Sequence, residues 1–223
     1  MMMKRRQQKI MAAAPVKDDL RDGILCAVGM VLFACLIPFV FPLKALAFLI
    51  LFLIGFIITR NLYHQKDSAF LLVRDAFPEK MIAYYLVGLL MGVAGAMYYR
   101  GSIGLPVFPS LFRSFALVAM CIGAMEEMVF RGFIQGRLSR FHPAFAIVFA
   151  AFAHASYKAC LFLSPASQQH LPVLPFYTWT FGAFILLGLL RYYSGRILPA
   201  IIAHAVFDLL VYGENVHSPW WVW

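Results

Sequence analysis

Six ionisable residues sit in stretches that are otherwise apolar. Glu126, Glu127 and Arg131 lie in "CIGAMEEMVFRGFIQGRL" (121–138), His154 in "FAAFAHAS" (149–156), and His204 and Asp208 in "HAVFD" (204–208). A carboxylate and an imidazole in a pocket of low dielectric that water can reach share the task of taking a proton from water, which makes a nucleophile near neutral pH. A second polar pair facing the attacked carbonyl stabilises the oxyanion that develops. That is amide hydrolysis without a covalent intermediate. No Ser or Cys nucleophile motif accompanies the histidines and "HExxH" is absent, which disfavours serine-type and zincin-type chemistry. Two other classes stay open on the residues alone. Glu126, His154, His204 and Asp208 supply the oxygen and nitrogen ligands of a metal-dependent hydrolase. A proton-coupled transporter also places Glu, His and Asp at mid-membrane, although it usually shows repeated halves, and here these residues crowd into the second half.

Spacing assigns partners. Glu127 and Arg131 are i,i+4 neighbours and read as a structural ion pair, whereas Glu126 is turned by about 100° and has no partner on its own helix. His204 and Asp208 are also i,i+4 and share a face. His154 stands alone on its helix, so its partner must come from another one. At about 1.5 Å per residue, Glu126 lies about 16 Å from Arg137, His154 about 18 Å from His142, and Asp208 about 18 Å from Arg196. His204 lies about 12 Å from Arg196 on the same scale. The four side chains therefore reach one layer from three helices.

The elements that must hold them there are membrane spans. The chain is 63% hydrophobic and only 13% charged, with a mean hydropathy of +0.80, too little polar surface for a soluble globule of 223 residues. The expected fold is all-α, a polytopic membrane helix bundle of about seven transmembrane helices. Apolar spans are expected at 24–41, 45–59, 81–99, 112–135, 143–163, 174–191 and 197–212, each near the ~20 residues that cross a bilayer core. The expected organisation is a basic amino-terminal segment (1–23), one transmembrane domain (24–213) with its chemistry at about 110–212, and an aromatic tail (214–223). "SAFLLVRDAF" (68–77) reads as an amphipathic interfacial helix and "PWWVW" as an interfacial anchor. Gly88 and Gly92 form a GxxxG pattern for close helix packing.

The net charge of +9 alternates with the spans instead of forming a nucleic-acid face. Fourteen Lys and Arg fall on the side of the amino terminus, and only Lys44, Arg100, Arg113 and Lys158 fall in the opposite loops. The positive-inside rule then predicts a cytoplasmic amino terminus and an external carboxy terminus. A retained first span is preferred over a signal peptide, because acids precede it and a second apolar run follows at once. Cys26, Cys35, Cys121 and Cys160 lie within spans without paired spacing, against both a disulfide framework and a CxxC metal site.

"EEMVFR" (126–131), "FAAFAHAS" and "HAVFD" resemble, in order and spacing, the three motifs of the CAAX endopeptidase and bacteriocin-processing (CPBP/ABI) family of glutamic-type intramembrane proteases. The resemblance covers about residues 110–212. It implies that Glu126 is the catalytic glutamate and that His154 activates water with it. It further implies that His204 and Asp208 form the oxyanion site, with Glu127 and Arg131 supporting. No cofactor is implied. The implied partners are a peptide or membrane-protein substrate and the lipid bilayer, with no nucleic acid. A short chain with a basic tail suits a prokaryotic cytoplasmic membrane. An immunity-type binding protein on the same helices is a further class, and retention of every motif residue counts against it. Where the family often has Phe four residues before the second-motif histidine, this chain has Ala150, flanked by Phe149 and Phe152. Asp208 at the last position is expected to be protonated or to orient His204, since an ionised carboxylate repels an oxyanion.

Overall fold

The computed structural model describes residues 16–65, 78–162 and 172–214. The expected interfacial segment 68–77 and the 219–223 anchor lie outside the described residues. Every regular element among the described residues is a helix: α1 (Val16–Leu36), α2 (Leu43–Gln65), α3 (Pro78–Ser102), α4 (Ser114–Glu127), α5 (Gln135–Leu138), α6 (Pro143–Phe162), α7 (Val173–Ser194) and α8 (Leu198–Val211). A π-helical stretch, Met128–Ile134, joins α4 to α5, so seven rods match the seven expected spans. Four of the helices are long and apolar enough to cross a membrane. Their outer faces stay apolar, with Phe52, Phe56, Leu90 and Leu174 all exposed. Lipid is the solvent that such surfaces require, and the chain is an integral membrane protein.

Boundaries follow local chemistry. α1 begins at Val16, ahead of the expected 24, with Asp18 and Asp19 in its first turn, where the positive end of the helix dipole favours acids. It stops at Leu36 because Pro38 cannot continue it. α2 exceeds the expected 45–59, and its apolar part runs from Leu43 to Leu62.

Three apolar clusters hold the rods. α1 and α2 pack with the π-helical stretch and α6 around Phe33, Phe130, Ile134 and Tyr157. α3 and α4 meet α8 through Ala96, Ala119 and Leu210, while α6 and α7 meet α8 through Ala151, Phe184 and Ala203. The GxxxG expectation has a definite partner. A Cβ on Gly88 would fall 2.3 Å from the Pro199 carbonyl oxygen, and one on Gly92 2.4 Å from that of Ala203. Only hydrogen at both positions lets α3 lie directly on the α8 backbone, which fixes the depth of His204.

Two residues read as external loop charges lie elsewhere. Arg100 is fully buried in the last turn of α3. Its guanidinium donates to the carbonyls of Pro106 (2.6 Å) and Leu210 (3.1 Å), closing the end of α8, and to Glu214 (3.0 Å). Lys158 is buried inside α6. Arg137 and Arg191, assigned to the other side, are buried too. Setting all four aside leaves the charge asymmetry in place.

Candidate active site

The site forms where α4, α6 and α8 meet. Glu126 and Glu127 end α4, His154 and Lys158 lie one turn apart on α6, and His204 and Asp208 lie one turn apart on α8. All six are buried, as is Arg131 on the π-helical stretch. Glu126 Oε2 lies 3.0 Å from His154 Nε2 and 3.7 Å from His204 Nε2. His204 Nδ1 lies 2.9 Å from Glu127 Oε1. Asp208 Oδ2 is 3.6 Å from His204 Nε2, beyond hydrogen-bond length, so Glu127 orients the His204 ring rather than Asp208. The structure thus brings together all six residues singled out in the sequence. The expected Glu127–Arg131 pair also forms, at 3.4 Å, yet Glu127 Oε2 and Arg131 Nε make no hydrogen bond.

Arg131 does more than neutralise Glu127. It donates through Nη2 to the Phe184 carbonyl (2.9 Å) and contacts His154 Nδ1 through Nη1. A guanidinium has only donors, so His154 must accept at Nδ1, and its proton then lies on Nε2 and points at Glu126. The tautomer is set by this network.

The π-helical stretch lets one rod serve several neighbours. The Gln135 N–H bonds the Phe130 carbonyl five residues back, instead of four, so an extra residue is accommodated in the turn just after the two glutamates. Arg131 then reaches His154, and Gln135 Nε2 reaches the Gly188 carbonyl on α7 (2.9 Å).

Four features escaped the sequence reading. Lys158 Nζ lies 2.8 Å from Glu126 Oε1, so the carboxylate that has no partner on its own helix takes both from α6. The imidazole of His154 is sandwiched between Phe130 (centroids 4.0 Å, 7° between planes) and Phe184 (3.7 Å, 4°). Those rings come from other helices, while Ala150 is buried and Phe152 faces outward. Gly123, one turn before Glu127, admits Asp208: a Cβ there would fall 2.2 Å from Asp208 Oδ2. Finally, a cavity of about 400 Å³ opens on Lys158, His204 and Asp208 between walls that include Met91, Tyr98, Trp179 and Phe207. A Lys four residues after a His at the end of an apolar span was the available signal for the first of these.

Residues 107–210 match the family described as "Rce1-like: Type II CAAX prenyl endopeptidase Rce1-like". These residues are similar to a CAAX endopeptidase core. No curated protein and no solved structure matches the chain. The matched residues include every acid and histidine of the cluster together with Lys158, and they exclude α1, α2 and α3. The likeness points to peptide hydrolysis in a membrane setting. The arrangement of side chains is what bears on mechanism.

Glu126, His154 and His204 also present ligand atoms within 4.8 Å of one another, a spacing that a divalent ion accepts. Two contacts oppose it. Arg131 forces the His154 proton onto Nε2, removing the lone pair that would bind, and the Lys158 ammonium sits on the carboxylate of Glu126.

Proposed function

We propose that this protein hydrolyses a peptide bond of a membrane-associated or carboxy-terminal-tail substrate with water activated by Glu126 and His154. The observation that carries the reading is the 3.0 Å contact between Glu126 Oε2 and His154 Nε2, flanked by Lys158 and His204, which line an apolar cavity. His154 donates its Nε2 proton to Glu126 and holds the carboxylate in place. Glu126 takes a proton from water as the oxygen attacks the carbonyl carbon. The carbonyl oxygen becomes an oxyanion facing His204, whose Nδ1 is held by Glu127 and whose Nε2 must carry a proton to stabilise it. The C–N bond then breaks, and the proton on Glu126 passes to the leaving amine. Asp208 packs beside His204 at the cavity wall. The charge asymmetry supports an amino terminus in the cytoplasm, and the short, basic-tailed form suits a prokaryotic inner membrane. On that orientation the cavity, lined by Tyr98, Phe162 and Tyr212 near the far ends of α3, α6 and α8, opens toward the opposite side and not, as expected, toward the cytoplasm.

The test compares protein termini in cells carrying the native chain or Glu126→Gln, which removes the base with little change in volume. A small set of cleaved termini is expected to vanish, a loss of at least about 10²-fold, while the protein level stays constant. Identical termini in both strains would overturn the reading. The 4.8 Å cluster favours a metal-dependent hydrolase as the second reading, and loss of cleavage on chelation, restored by added Zn²⁺, would select it.

A further inference from the structure

Cys35 and Cys160 are 125 residues apart, on α1 and α6, and their Sγ atoms lie 2.7 Å from each other. Sequence spacing gave no hint of a pair, because the two helices meet only in the fold. α1 packs along α6 throughout the first apolar cluster, and Cys160 lines that cluster. Both side chains are half-buried. Cys35 is the residue before the end of α1 and Cys160 is two residues before the end of α6, so both lie near one face of the bundle. On the orientation proposed above, that face is the external one, where disulfides persist. All four cysteines are free thiols in the structure, with Cys26 buried and Cys121 exposed.

We propose that Cys35 and Cys160 are a reversible cross-link site that staples α1 to α6. Two thiols become one S–S bond, and the two protons and two electrons released pass to an oxidant of the disulfide class, whose own S–S bond is reduced to two thiols. The cross-link ties a helix outside the family-matched residues to the one that carries His154 and Lys158. Lys158 is two residues from Cys160 and His154 six, so the staple holds the end of α6 from which both partners of Glu126 project.

The test needs no substrate and is independent of the proposed activity. Full-length protein in membranes is treated with diamide, whose N=N bond accepts the two hydrogens, or with dithiothreitol. It is then denatured and alkylated with a polyethylene-glycol maleimide. The reduced chain should take four tags and the oxidised chain two, as a monomer. Cys35→Ser and Cys160→Ser should each take three tags under both treatments. Four tags on the oxidised native chain would overturn the proposal. So would oxidation-dependent tag loss that persists in Cys35→Ser, or a cross-linked dimer in place of the monomer.

Discussion

Two sets of buried acids lie along the α4–α5 rod, one against its end and one midway, and they are finished differently. At the start of α1, Asp19 receives Arg137 (2.7 Å) on one oxygen and Arg140 (2.8 Å) on the other. Asp22 receives Arg21 (3.0 Å) on one oxygen and Asn61 (2.8 Å) with Arg60 (2.9 Å) on the other. Every carboxylate oxygen there is paired, and neither acid lines the cavity described above. In the deep cluster Glu127 Oε2 has no hydrogen bond, Asp208 stands beyond hydrogen-bond reach of His204, and open space begins at Lys158. Buried polarity alone does not distinguish the two. Room for another molecule does, because a base must be met by water and substrate, as the cavity that opens on Lys158 and His204 allows. The first set is a strut, and the second is a site.

The strut should break first and most visibly. Asp19→Ala leaves Arg137 buried without its acid, and a broken buried pair costs about 3 kcal/mol. The thermal midpoint in detergent is expected to fall by about 10 °C, with cleavage per folded molecule unchanged. A matching fall in specific activity would mean that the strut belongs to the site. Lys158→Met makes the reciprocal cut. It leaves one oxygen of Glu126 without its donor, so turnover should drop about tenfold or more, with a stability loss of only about 1–3 kcal/mol. Lys158→Arg should restore part of the turnover. Loss of fold without a specific turnover effect would move Lys158 to the structural set.

The smallest effect lies at the loop beyond α8. Glu214 accepts the Ser110 backbone N–H (2.7 Å), the Ser110 hydroxyl (2.8 Å) and Arg100 (3.0 Å), which hold its carboxyl down to about 2 from an ordinary 4.5. A depressed carboxyl contributes stability that is complete above its unfolded value and is lost as pH falls through its folded one. The native chain should therefore lose thermal resistance between pH 4.5 and about 2 more steeply than Glu214→Gln. Parallel curves would remove Glu214 from the anchoring of this loop.

The rods were legible because a bilayer imposes a length of about 20 apolar residues, and that constraint is written in composition. The motif residues were legible because charge is costly at those depths and so rare enough to notice. Lys158 was misread by the same logic. A lysine near the end of a span looks like an interfacial charge, and only the approach of α4 reveals its carboxylate. Phe130 and Phe184 were hidden by abundance, since 22 phenylalanines leave no way to pick the two that clasp an imidazole. The π-helical stretch has no composition of its own. "MVFRGFI" is as compatible with a regular α-helix.

That stretch also sets a rotational phase. From Glu127 to Arg137 the rod must address His204 at one end and Asp19 at the other, and these stand on different sides of it. A regular α-helix turns about 100° per residue, so one surplus residue in the turn shifts everything downstream by about that angle. The count of residues between Glu127 and Gln135 therefore behaves like a vernier. It decides which neighbours the two ends of a single helix face at once.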